Sequence, residues 1–290
     1  MKKLLYKRRI HIAGSCSRDT SIDVINFSHD VVRNIIVDLL EVGAGFVTLL
    51  TSNPKIDEND DESPSIIFDW DVIDEIYRYA KELSFSNETK NLVRVIVTSK
   101  SLDKIPSDKI EIWREMIKNG TLSTVHIPSG WNSGAVRRQT IERHSDFLLT
   151  IGGGEGVEHL AQLFSAAGKP ILPLDIPVGS SCDDGRGGTA YLSKEFFSRP
   201  EDFIPKISEE MISKSTMLRY RNWEGKSKEY AKAIVEFISQ VNKPQVFFVR
   251  LQNNKLKEYP NVKHFFESVV IPYITAVSYT HLEPTRPLYI

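Results

Sequence analysis

Apolar residues recur in two rhythms along this chain, short runs of four to six and longer stretches spaced at three and four residues. Ile10, Ile12 and Ala13 predict a first strand, read within residues 4–13 and flanked by basic residues. Val31, Ile35, Ile36, Leu39 and Leu40 predict a helix over 27–42, with Ser28 as its cap and Gly43 as its end. The same reading gives strands at 46–50, 92–98, 123–127, 147–151 and 171–174. Helices are predicted at 72–83, 110–118, 157–167, 207–216 and 227–241, with a short one carrying Arg137 and Arg138. Residues 55–65 hold the acidic run DENDDESPS and read as a solvated, mobile loop. Residues 178–189 read as a glycine-rich loop over a site, and 195–206 as irregular.

Strands alternating with helices predict an α/β fold, a Rossmann-like parallel sheet with helices on both faces. Such sheets bind ligands at the carboxyl ends of their strands. Residues 1–241 read as one domain. Residues 242–277 read as a linker (Asn242-Lys243-Pro244) and the start of a truncated second α/β domain, with a strand at 246–251 and a helix at 262–269. The last stretch, 278–290 (SYTHLEPTRPLYI), departs from the preceding pattern and is expected to be non-native.

Charge and composition narrow the function classes. With 37 basic against 38 acidic residues there is no basic field to argue for nucleic acid. No apolar run approaches a membrane span, and the basic N-terminus lacks the apolar stretch of a signal peptide. Cys16 and Cys182 are the only cysteines, which fits a reducing cytoplasm without a disulfide framework. His11, His29, His126, His144 and His159 show no metal-ligand spacing, and no metal or required cofactor is expected. Cys16 has no identifiable partners for a nucleophilic triad and reads as structural.

Three places carry candidate chemistry. Gly14-Ser15 ends the first strand, where a serine offers both a hydroxyl and an amide. The turn Gly152, Gly153, Gly154, Glu155, Gly156 joins an apolar strand to a helix, an arrangement that lets backbone amides and a helix dipole meet phosphate or ribose. Glu155 and Glu158 would repel phosphate but can accept from ribose hydroxyls or a base amine, and the sugar role falls to Glu158. Arg137-Arg138 is a candidate phosphate fork, with Lys169 and Arg186 as weaker candidates of the same kind. Neither a dinucleotide fingerprint nor a Walker lysine is present.

Gly14-Ser15, Arg137 and the GGGEG turn together resemble the SLOG superfamily, whose LOG-type members are phosphoribohydrolases. Those enzymes carry PGGxGTxxE after a helix bearing Arg-Lys. Here the Pro position is Gly152, the Thr position is Val157 and the catalytic Glu position is Leu160. An apolar residue cannot serve as acid or base, and Glu158 points about 200° away around a helix. The text IGGGEGVEHLAQLFSAAGKPILPL is more similar to the sirtuin- and TIR-associating (STALD) branch of antiphage defence proteins. That resemblance covers about 3–241. It implies a sensor of an ADP-ribose-type, possibly cyclic, nucleotide that regulates a linked effector and forms a homo-oligomer. It also implies that Ser15, Arg137, Gly153, Gly154, Glu158 and Lys169 line the pocket. The alternative is a LOG-type N-glycosidase in which Glu155 or Glu158 stabilises the oxocarbenium ion.

Overall fold

The computed structural model describes residues 4–60, 62–181 and 188–241. The chain divides into units Met1–Lys243 and Pro244–Ile290. The predicted linker, the strand at 246–251, the helix at 262–269, the tail at 278–290, Cys182 and Arg186 all lie outside the described residues.

Six strands form one parallel sheet. They are β1 (Arg9–Ser15), β2 (Gly45–Leu49), β3 (Val93–Val97), β4 (Leu122–His126), β5 (Phe147–Gly152) and β6 (Ile171–Leu174), in the order β4-β3-β2-β1-β5-β6. The chain steps outward from β1 to β4, then crosses back to β5 on the other side of β1. The order therefore reverses between β1 and β5, which opens a crevice at their carboxyl ends.

Side-chain alternation explains why both faces are apolar. Ile10 and Ile12 of β1, Val93 and Val95 of β3 and Phe147, Leu149 and Ile151 of β5 point to one face. Ala13, Val47, Ile96 and Leu148 point to the other. The first face packs on α1 (Ile22–Glu41), α2 (Asp69–Glu82), α4 (Ile110–Lys118) and α9 (Ser227–Val241). The second packs on α5 (Ser133–His144) and α6 (Glu155–Ala166). In α6, Val157, Leu160, Ala161 and Phe164 fall on one helical stripe and are all buried. The remaining helices are the single turn α3 (Ser99–Leu102), α7 (Thr189–Ser198) and α8 (Glu209–Thr216).

Several boundaries move. The first strand begins at Arg9 and runs on through Gly14-Ser15, because its pairing with β5 continues to Ser15 opposite Gly152. The first helix starts at Ile22 rather than 27; Ser28 is no cap but a buried mid-helix residue whose hydroxyl donates to Ile25 O at 2.6 Å. Part of the region read as irregular is helix, since α7 runs to Ser198 and buries Leu192 and Phe196. The acidic loop is exposed, and its ends are tied by a Lys55–Ser65 bridge and an Arg18–Glu58 ion pair at 3.0 Å.

Two buried groups of β1 and its neighbourhood carry shifted proton affinities. Burial pushes the Cys16 thiol up to about 11, so it stays protonated and inert. Burial pulls His11 down to about 4, and the neutral ring donates Nδ1–H to Val47 O at 2.8 Å. The unfolded chain takes up a proton near 6.5 that folded His11 refuses until about 4. His11 therefore supports folding above pH 6.5 and costs stability as pH falls towards 4, by at most about 3 kcal/mol. The raised carboxylates Asp69 and Asp74 act with the opposite sign. Urea melts of wild type and His11→Asn at pH 7 and pH 4.5 are expected to show the smaller pH loss in the variant; equal losses would refute the assignment.

Candidate functional site

The crevice between β1 and β5 is built on close backbone approach. Gly14 has φ +145°, and a Cβ there would lie 1.7 Å from Ile151 O. Gly153 has φ +73°, and its Cβ would lie 2.5 Å from Val157 Cγ2 and 3.3 Å from Gly14 Cα. Only glycine fits both places. The Gly153 N–H is shared between Ser15 O at 2.9 Å and Gly179 O at 3.0 Å. That amide is spent on the turn, so it is not the anion donor the glycine run suggests. Helix α6 begins directly after Gly154. Among the described residues no protein acceptor takes the N–H of Gly154 or Gly156, which leaves them for a ligand at the positive end of the helix dipole.

A second helix start faces the first. Gly134, Arg137, Arg138 and Ile141 of α5 line the same cavity as Gly14, Ser15, Gly154 and Gly156, a space of about 470 Å³. Arg138 Nη1 lies 3.7 Å from where a Cβ on Gly134 would sit and 3.9 Å from one on Gly156, so its guanidinium spans both helix starts. Among the described residues its Nε is buried with no hydrogen-bond partner. A buried orphan donor between two helix N-termini is suited to an anion.

The opposite wall holds a group that the sequence reading missed. Asp69, the first residue of α2, lines the cavity beside Leu49 and Phe68. Its carboxylate accepts from Thr48 Oγ1 at 2.9 Å, Leu49 N at 3.3 Å and Thr51 Oγ1 at 3.2 Å. Burial raises its pKa; those hydrogen bonds and the nearby Arg137 guanidinium offset part of the rise. An acid opening a helix is the ordinary helix-start signal, so no local pattern marks this one as a site residue. His11 on β1 also lines the cavity.

The predicted site residues fall in four places. Gly14, Ser15, Arg137, Arg138, Gly153, Gly154, Glu155 and Gly156 all come together around the cavity. Gly152 stands behind the turn, against Val178 and Gly179. Glu158 does not line the cavity; it accepts from Gly188 N at 2.6 Å and so fastens the far end of the 178–189 segment. Lys169 is misplaced by the sequence reading. It precedes β6 at the other end of the sheet, where its ammonium pairs with Glu142 Oε1 at 2.7 Å and bonds the Glu142 carbonyl. Leu160 is buried and forms part of the cavity wall. Over the mouth, Ser180 and Ser181 contribute lining, and Ser15 Oγ accepts from Ser181 N at 3.1 Å and from Ser181 Oγ at 2.9 Å. Among the described residues no cluster of metal-ligating side chains is present, and no helix is long and apolar enough to cross a membrane.

Residues 5–244 match the protein family described as "ATP nucleosidase Cap17-like, N-terminal". The chain belongs to that family. Two curated relatives, both ATP nucleosidase Cap17, from Escherichia coli (strain KTE188) and Escherichia coli, are each 26% identical over 200 residues. The match covers 68% of this chain but 38% of each relative, so the chain spans well under half of their length. A solved structure of the single-stranded-DNA-binding DNA processing protein A from Helicobacter pylori is similar over 67% of this chain and 75% of its own. Its TM-score is 0.38, at 16% identity.

The two kinds of glycine in this Cap17-like site predict opposite substitution effects. Gly153→Ala should lower stability by about 2 kcal/mol or more, through its left-handed backbone and the clash with Val157. Gly156→Ala, helical and with nothing nearer than 3.9 Å, should be neutral or stabilising by up to about 1 kcal/mol. Urea denaturation of both variants checks this; similar losses in the two would contradict the described turn.

Proposed function

We propose that this chain is a nucleotide-sensing domain of the SLOG type, close to the STALD branch, binding an ADP-ribose-type nucleotide, cyclic or linear. The observation that carries the reading is one cavity in which two helix starts and Arg138 oppose the carboxylate of Asp69. Diphosphate is held at the helix starts, with Arg137 as a further cation. The domain binds and does not cleave. Leu160 stands where a LOG-type enzyme needs its carboxylate, and Glu158 lies outside the cavity lining, turned to the Gly188 amide. The family relationship supports a place in nucleotide chemistry. In the longer relatives, nucleosidase activity would belong to the part this match does not cover, with the present domain as its regulator in antiphage defence. A soluble cytoplasmic homo-oligomer is part of the same proposal.

The N-glycosidase reading keeps two supporting observations. Glu155, a carboxylate that reading names, lines the cavity. Asp69 is a part-buried carboxylate with a raised pKa in the same cavity, which is how an acid catalyst is poised. Chromatography for free adenine after incubation with AMP, ATP or NAD decides between the two. The sensor reading expects none, and adenine release lost in Asp69→Asn would overturn it.

Binding supplies the other test. In calorimetric titration with ADP-ribose, its cyclic isomers and ATP, at least one should bind, and Arg137→Ala should weaken it by about 10- to 150-fold if the guanidinium makes a charged contact. An unchanged affinity would remove Arg137 from the site.

A further inference from the structure

The cavity has two chemically opposite ends. At one, beside the Glu155 side chain, the Gly154 and Gly156 amides and Arg138 Nε, unpartnered among the described residues, offer donors. At the other, Asp69 offers an acceptor between the apolar surfaces of Leu49 and Phe68, with the Arg137 guanidinium nearby. An ionised carboxylate has about four acceptor positions. Oδ1 uses two on Thr48 Oγ1 and Leu49 N, and Oδ2 uses one on Thr51 Oγ1. The open position on Oδ2 can take a hydroxyl or an amine but repels phosphate. Three fixed donors also prevent the carboxylate from turning away, so it is oriented before any ligand arrives.

Placement selects between hydroxyl and amine. Asp69 is anchored to the end of β2 and the glycine turn follows β5, with β1 between them. Two strand spacings, roughly 10 Å, separate the ends. A phosphate seated on the α6 start fills the near half of that span, and the sugar attached to it fills the far half. The base then extends past Asp69 rather than onto it. Glu158, the carboxylate that the sequence assigned to the sugar, does not line the cavity and turns instead to Gly188 N at 2.6 Å.

We propose that Asp69 accepts a hydrogen bond from a ribose hydroxyl of the bound nucleotide, so that the site selects ribose over deoxyribose and binds with phosphate towards α6 and sugar towards β2. This rests on the nucleotide-binding reading and assigns the part of the ligand that reading left unplaced.

The test is calorimetry on the whole chain with ADP-ribose and with analogues lacking one ribose hydroxyl at a time. One analogue is expected to bind wild type at least tenfold more weakly than ADP-ribose. In Asp69→Ala that same analogue and ADP-ribose should bind alike, with folding of the variant checked by circular dichroism. If every analogue binds wild type within twofold of ADP-ribose, the proposal is overturned whether or not the variant folds. It is also overturned if the discrimination persists in a folded Asp69→Ala. Either result leaves the nucleotide-binding reading intact provided ADP-ribose binds and Arg137→Ala weakens it. No binding of ADP-ribose, its cyclic isomers or ATP to wild type overturns both.

Discussion

The Gly153 amide holds three segments at one point. By sharing its hydrogen between Ser15 O and Gly179 O, it fixes the end of β1, the turn after β5 and the segment after β6 against one another. Two backbones cannot meet this closely with side chains between them, so Gly14 and Gly153 are linked requirements rather than separate ones. With the three segments fixed, α6 must start over the crevice, and its free amides point there without any side chain having to aim them. The anion-attracting end of the cavity is thus a consequence of backbone packing. Arg137 and Arg138 add charge to a place already defined.

The opposite end follows a different rule. A carboxylate in a partly buried wall is expensive unless donors surround it, and Asp69 has three from β2 and the residues just after it. Thr48 sits on the same sheet face as Phe46 and Leu50, where its hydroxyl would otherwise be stranded among apolar side chains. Asp69 and Thr48 therefore satisfy each other. The same satisfaction explains why the acid sits at a helix start. There its position is fixed by the backbone of α2, and the Leu49 amide, past the last residue of β2 paired with β1, still needs an acceptor. Structure and site share these hydrogen bonds, so the group is held rigidly at little additional entropic cost.

How much of this was legible in the residues follows from the range of the interactions. The sheet and most helices were readable because period-two and period-3.6 patterns are local. The glycine turn and the arginine pair were readable because glycines and arginines concentrated before a helix are an unusual local pattern. The start of α1 was not, since Ile22 is exposed and the preceding polar residues look like loop. Lys169 was misassigned because nearness in sequence to the turn is not nearness in space: α6 carries the chain the full height of the sheet before Lys169 is reached. Asp69 was invisible for the converse reason. It lies more than 60 residues from the arginines in sequence, and only the order β2-β1-β5 brings them to one cavity. Glu158 shows a third kind of failure, since its partner is a backbone amide thirty residues away that no composition or spacing reveals.

The segment after β6 gives the site a route outward. Its near end is held by Ser181 on Ser15 and by the Ser17 amide on Val178 O, and its far end by Gly188 on Glu158. Both anchors stand next to the cavity, one on the strand end that forms it and one on the helix whose N-terminus faces it. A ligand that took the Ser15 hydroxyl would compete directly with Ser181. A ligand that drew α6 towards its phosphate would act on Glu158 and hence on Gly188, the residue just before α7. Binding can shift a conformational equilibrium only through contacts that differ between two states. At these two anchors such a difference would arise, because ligand and segment would address the same atoms or the same helix. Val178, Ser181 and Gly188 are bonded to the elements that form the cavity, so a ligand seated there would act on them without an intermediary.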